Sequence, residues 1–223
     1  MSIHLKRDLE LLEQELLAQG SLVEKMIRLA TKALKEMRSD LIDELLHNEN
    51  SVNHREVSLE EECLKILALH QPVAVDLRRV ATVLKVNNDL ERIADLTVNV
   101  GERSQSLISH AGLIFPDNID LMADKASGMV RDALDAFVKQ NVELARDVCV
   151  RDDEVDELNR DIINELQDNM ANDGSVVEAG MHYFSASRHL ERIADHATNI
   201  AEEVIYLVEG EITRHQHKDL SAS

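Results

Sequence analysis

Two pairs of carboxylates are written in the same words. Glu91 and Asp95 lie in LERIADLTVN, and Glu191 and Asp195 lie in LERIADHATN, 100 residues further on. In a helix, residues four apart share one face, with Cβ atoms about 5–6 Å apart, and two like charges at that spacing destabilise the helix by ~0.2–0.5 kcal/mol. A bound cation relieves that repulsion. At 100° per residue the apolar arc around the first copy is centred near Leu90 and takes in Val83, Val86, Ile93 and Thr97. Glu91 and Asp95 fall at the edge of this arc, on a strip that also carries Leu84 and Val98. The acid pair therefore interrupts a semi-apolar strip and does not point straight into water.

The preceding helix of each half carries matching acids. Asp152 interrupts the stripe Leu144, Val148, Val155, Ile162, Leu166, and Asp156 follows four residues later. In the first half the stripe is Ile42, Leu45, Val52, Leu59, Cys63, Ile66; Glu49 and Glu56 fall within it, and Asn53 stands where the second half has Asp156. Carboxylates on facing helices of a bundle can build a multinuclear metal site. Oxygen ligands suit Mg²⁺, Ca²⁺ or Mn²⁺ and also hold iron. The same acids also suit a solvated face laced with salt bridges, in which Arg92 reaches Asp95 and Arg192 reaches Asp195 at i,i+3.

Other chemistry is thinly represented. A ferritin-like di-iron oxidase needs two Glu-x-x-His motifs, and Glu44 with His47 supplies one. His189 and His196, beside the second hexapeptide, suit surface positions better than metal ligation. QPVAVDLRRV, residues 71–80, places Pro72 at a helix start and presents Arg78 and Arg79. These arginines suit a phosphate or an acidic partner, or pairing with acids nearby. No glycine-rich phosphate loop, nucleophile elbow or triad is present. Cys63 and Cys149 lack zinc spacing and suit two buried thiols better than a disulfide.

Long helices must position these residues. Apolar residues recur at three and four throughout, and strand-like alternation is nowhere sustained. Only seven Gly and two Pro punctuate 223 residues. Breaks are expected at HNEN (47–50), at Gln71-Pro72, and over HAGLIFPDN (110–118), where Asp117 suits an N-cap. Another is expected at NDGSVVE (172–178), with a capping box from Ser175 to Glu178, and a last one at Gly210. VNVGE after the first hexapeptide matches TNIAE after the second, and NSVNHREV resembles DEVDELNR. The expected fold is all-α, two tandem three-helix bundles related by internal duplication. Residues 1–112 form the first bundle, 113–210 the second, and 211–223 a polar tail.

The net charge of −19 repels nucleic-acid phosphates and anionic headgroups, so neither nucleic acid nor membrane is an expected partner. No run approaches the ~18 apolar residues of a membrane span, and the N-terminus lacks the apolar region of a signal peptide. A cytoplasmic location is expected.

QPVAVDLR, the two LERIAD copies each with an Asn four residues on, and LERIADHATNIAEEVIYLVEG together resemble the PhoU family of phosphate-specific transport accessory proteins, from about Leu9 to Gly210. The resemblance implies tandem three-helix bundles, often a homodimer, and a non-enzymatic negative regulator of phosphate uptake and phosphate-starvation signalling. It implies two partners, the ATPase subunit of a phosphate ABC importer and a sensor histidine kinase. It also implies iron or zinc on EXXXD-type motifs in some members, with manganese or magnesium as further candidates. In this chain those motifs fall at Glu91 and Asp95, Glu191 and Asp195, and Asp152 and Asp156, while Glu49 faces the departure at Asn53. That departure predicts stronger binding in the second half. Two rival readings are a carboxylate-bridged metalloenzyme and a purely structural helical adaptor.

Overall fold

The computed structural model describes residues 3–108 and 115–210. Six long helices carry nearly all of them: α1 (Ile3–Glu36), α2 (Asp40–His70), α3 (Ala74–Ile108), α4 (Asn118–Lys139), α5 (Val142–Asn172) and α6 (Val177–Glu209). No strand is present among the described residues. Helices α1, α2 and α3 pack on one another, as do α4, α5 and α6. The expected pair of three-helix bundles is what the chain forms. The two bundles meet where α3 lies along α6 and α1 touches α4.

The apolar stripes are the cause of this arrangement. Ile42, Leu45, Val52, Leu59, Cys63 and Ile66 are all buried along α2. Val148, Val155, Ile162 and Leu166 are buried along α5, with Leu144 partly so. Each fully buried aliphatic side chain contributes about 1.5–3 kcal/mol. Close approach of the bundles needs a small residue at one point: a Cβ on Gly20 of α1 would run into Leu134 of α4.

The helix ends depart from the expected breaks in several places. Residues 47–50 lie inside α2, because the stripe from Leu45 to Val52 holds the helix together there. The α1–α2 turn falls at residues 37–39, with Met37 in the left-handed region at φ 50°. The α4–α5 turn uses Gln140 at φ 49°, followed by Asn141, whose side chain accepts the Leu144 amide at 3.1 Å. Asp117 occupies the position before α4 but makes no side-chain cap bond. The capping box at Ser175 does not form. Asp173 accepts both the amide and the hydroxyl of Ser175, at 2.9 and 2.6 Å, and closes a 3-10 turn at Gly174–Val176. The break at Gln71-Pro72 and the stop at Gly210, φ 78°, fall where expected. The expected domain boundary at 112/113 and the 211–223 tail lie outside the described residues.

Candidate metal-binding grooves

Register between α2 and α3 is set one turn before the first hexapeptide. Gln19 of α1 donates to the Asn87 side-chain carbonyl at 3.0 Å, and the Asn87 amide donates to the backbone carbonyl of Glu56 at 2.9 Å. This buried chain ties three helices and fixes which acids of α2 face α3. Inside α3, Asn99 donates back to the carbonyl of Asp95 at 3.0 Å.

The acids gather as two grooves, one per bundle. In the first, burial raises the Glu49 carboxyl above its ordinary range, and Asp95 and Glu102 raise it further. Burial also raises Glu91, with Asp95, Glu56 and Glu49 adding to the shift and Arg92 opposing it. In the second, burial leads the upward shift of Glu191. Arg188 opposes it, and Asp195 and Asp156 add to it. Asp195 is open to solvent on one side, yet burial still leads its upward shift, followed by the charge of Asp156. The sequence-derived residues Glu49, Glu91 and Asp95 thus face one groove, and Asp156, Glu191 and Asp195 face the other. Asp152 lies one turn along α5, where its charge and that of Glu202 help burial push the Cys149 thiol up to about 12. Cys63, also free, is pushed up to about 12, mainly by burial.

Glu102 and Glu202 are additions to the sequence-derived set. They end VNVGE and TNIAE, the aligned stretches after each hexapeptide. The two grooves also differ less in charge than Asn53 alone implies. Where α5 carries Asn159, α2 carries Glu56, so each groove has one amide in a row of acids, at a different height.

The arrangement fits a hard cation in its donor chemistry. Every acid supplies oxygen, as Mn²⁺, Mg²⁺ or iron in an oxygen site requires. Among the described residues, the groove oxygens Glu191 Oε2, Asn53 Oδ1 and Asn159 Oδ1 are buried with no hydrogen-bond partner. An unmet buried acceptor costs about 1–3 kcal/mol, more if charged. Among the described residues the side chains do not converge as three or more ligands on one point, so they stand apart, as like charges do.

The salt-bridge alternative is partly realised, and unequally. Arg92 reaches Asp95 at 3.6 Å and Glu91 at 3.4 Å. In the second copy Arg188 takes Glu191 at 2.6 Å, and among the described residues no carboxylate lies within 4.0 Å of Arg192. The Glu44–His47 motif lies outside the grooves, with both residues exposed and Glu44 paired to Lys25 at 2.7 Å. Arg78 and Arg79 are half-buried; Arg78 donates to the Leu207 carbonyl at 3.4 Å, and Arg79 pairs with Glu13. His189 and His196 are not surface residues. His196 bonds Asp89 at 2.8 Å across the contact of α3 with α6, and His189 lies half-buried in the same contact. A groove of about 830 Å³ lies on another face of α2, between the start of α1 and the end of α2. Leu11, Leu59, Ile66 and Leu69 line it, and it takes in none of the clustered acids.

Comparison with known proteins matches both halves. A model of the PhoU domain fits the chain twice, over residues 16–104 and 119–204. A phosphate-specific transport system accessory protein PhoU homolog from Aquifex aeolicus is 37% identical, covering 95% of this chain and 96% of its own. The homolog from Pseudomonas aeruginosa is 38% identical, with 93% and 86% covered. The crystal structure of PhoU from Pseudomonas aeruginosa superposes with a TM-score of 0.87 at 36% identity, over 92% of this chain and 99% of that one. The phosphate transport system regulatory protein PhoU from Streptococcus pneumoniae gives 0.87 at 26% identity, over 93% and 98%.

Proposed function

The chain belongs to the PhoU family, and from that premise we propose that it is a non-enzymatic accessory and negative regulator of a phosphate-specific transport system. The observation that carries this reading is the match of both bundles, over nearly the whole chain, to accessory and regulatory proteins of that system. No described helix is long and apolar enough to cross a membrane. The protein then meets the importer from the cytoplasm, through its ATPase subunit, and passes the state of uptake to a sensor histidine kinase. It works as a homodimer. A catalytic role finds little support in the residues: the one Glu-x-x-His lies on an exposed surface, away from the acids.

The grooves are the cation-binding part of this proposal. Glu191, Asp195 and Asp156, with Asp152 one turn further along α5 and Glu202 two turns further along α6, would hold an iron, zinc or manganese ion between α5 and α6. Glu49, Glu56, Glu91, Asp95 and Glu102 would hold one between α2 and α3. A bound cation supplies positive charge that offsets the raised carboxyls. The chain's own part is to hold two rows of acids in register on paired helices, so that α2 is pinned to α3 and α5 to α6.

Deleting the gene should leave phosphate-starvation genes switched on in phosphate-rich medium, and restoring the wild-type chain should silence them. Genes that stay repressed in the deletion strain would sink the regulatory reading. Elemental analysis of untagged protein beside Glu191→Ala/Asp195→Ala tests the groove separately. Stoichiometric metal lost by the double variant supports it, and equal metal in both proteins removes it.

A further inference from the structure

The apolar groove of about 830 Å³ belongs to the first bundle alone. Helix α1 has 34 residues where its counterpart α4 has 22. The additional turns at its start lie along the last turns of α2, and the groove opens between them. Two contacts fix the walls. Asp8 lies 3.0 Å from His70 Nε2 at the outer end, and Glu15 accepts from Arg55 at 3.0 Å nearer the middle of the bundle. Leu12, Leu59 and Ile66 form a buried floor. Leu11 and Leu69 stand on the rim, 53% and 69% exposed. In the second half Asn172 takes the place of Leu69, so this apolar rim is not a by-product of the duplication.

Both walls are patterned to receive further helices. Asp8, Leu11 and Glu15 follow one another at three and four on α1, and Arg55, Leu59, Glu62, Ile66 and Leu69 at four and three on α2. That alternation keeps a row of side chains facing a neighbouring helix along its length. A hairpin with such a row on each helix closes against a second hairpin as a four-helix bundle.

Charge decides what the second hairpin is. At a net charge of −19, most of the surface repels another copy of the chain. A second apolar stripe on α2 illustrates this. Leu46, Val57 and Leu64 are exposed along it, but Asp43 lies one turn from Leu46, and Glu60 and Glu61 lie one turn from both Val57 and Leu64. Among the described residues none of these three acids has a basic group within 4.0 Å. The groove is different, because every acid that lines it is matched by a base. Asp8 has Arg7 at 3.1 Å, Glu15 has Arg55 at 3.0 Å, and Glu62 has Lys65 at 3.0 Å. It is an apolar face without excess charge, which a second acidic copy can approach.

We infer that the α1–α2 groove is the face on which a second copy of this chain docks, each copy laying its exposed Leu11 and Leu69 into the other's groove about a two-fold axis. A two-fold contact needs one patch that acts as both knob and hole, and a groove with two leucines projecting from its rim is such a patch. The inference rests on the homodimer reading above and assigns that dimer its face.

The test is analytical ultracentrifugation of the full-length protein over about 1–100 µM, where a reversible dimer shows by mass action. Wild type should dimerise. Leu69→Glu and Leu11→Glu put an acid on the neutral face and should each raise the dimer Kd at least about a hundredfold, as loss of a central apolar anchor does. Both side chains already face solvent, and circular dichroism should show wild-type helicity. Leu64→Glu makes the same change on the other face of α2 and should dimerise as wild type. Raising NaCl from about 0.05 to 0.5 M should tighten the wild-type dimer, because salt screens repulsion between the two acidic copies and spares an apolar contact. A wild type that stays monomeric throughout overturns this inference and the homodimer reading together. A dimer that survives Leu69→Glu and Leu11→Glu, that Leu64→Glu weakens as much as they do, or that salt dissociates keeps the homodimer and overturns this face.

Discussion

Replacing Asp195 by Asn should stabilise the metal-free protein. The swap keeps volume and shape and removes one charge. Burial and Asp156 push the Asp195 carboxyl up, and His196, Arg188 and Arg192 oppose them without cancelling the shift. Glu191 lies one turn away on the same face and is itself raised, in part by Asp195. Each like-charge neighbour at this spacing is worth ~0.2–0.5 kcal/mol. Two of them, Glu191 and Asp156, give a gain of about 0.5–1 kcal/mol at pH 7. In a chain of this size that raises Tm by roughly 1–4 °C.

The pH dependence fixes the cause. A carboxyl raised in the fold adds stability that is fully present below the unfolded value of 3.8 and is lost as pH rises through the higher folded value. The advantage of Asn over Asp should therefore vanish near pH 4 and grow towards neutrality. Thermal unfolding from pH 4 to 7 in EDTA reads this directly. With saturating Mn²⁺ the order should reverse, because a ligand held by the native state alone adds ~2.7 kcal/mol at one hundred times its Kd. A variant that is less stable than wild type in EDTA at pH 7, or a gain equally large at pH 4, would refute the electrostatic account of the groove.

Other perturbations address the frame. Ala74 opens α3 in the left-handed region at φ 51°, a conformation that disfavours a Cβ by ~1–2 kcal/mol; Ala74→Gly should be neutral to stabilising by up to ~1 kcal/mol in urea unfolding, and Ala74→Val should destabilise by more than that. Glu203 is 4% exposed and its partner Lys85 is 40% exposed, between the surface and buried limits of ion pairing. A double-mutant cycle with Lys85→Met and Glu203→Gln should give a coupling of ~1–2 kcal/mol, and a coupling near zero would remove this pair from the forces joining the bundles.

The sequence makes the stripes and the acids legible because both follow helical period. The buried residues of α2 fall on the stripe from Ile42 to Ile66, and Glu49 faces the first groove beside Asp95. The turns at Met37 and Gln140 escape notice because left-handed backbone there is carried by ordinary residues, without Gly or Pro to mark it. Asp173 displaces the expected capping box because its carboxylate reaches Ser175 first. The seam is the least legible part. Asp89 and His196 are 107 residues apart, and neither is informative until α3 is laid against α6. His196 and His189 therefore look like surface residues until the bundles are brought together. Glu102 and Glu202 had a signal in the aligned stretches that end with them, but they lie two turns beyond the acids that first attract attention.

The polar character of that seam matters during synthesis. Bonds across it join residues 107, 118 and 129 positions apart, whereas each bundle closes on contacts within its own half. Ribosomes add ~5–20 residues per second, so the first bundle waits about 5–20 s before α6 emerges to cover α3. Through that interval the waiting face shows Lys85 and Asp89 to water among its apolar residues. An entirely aliphatic seam would give the nascent half-protein a sticky flank against other chains on the same polysome. The Lys85–Glu203 ion pair and the Asp89–His196 hydrogen bond make the late docking partner specific and keep the half-made molecule soluble until it arrives.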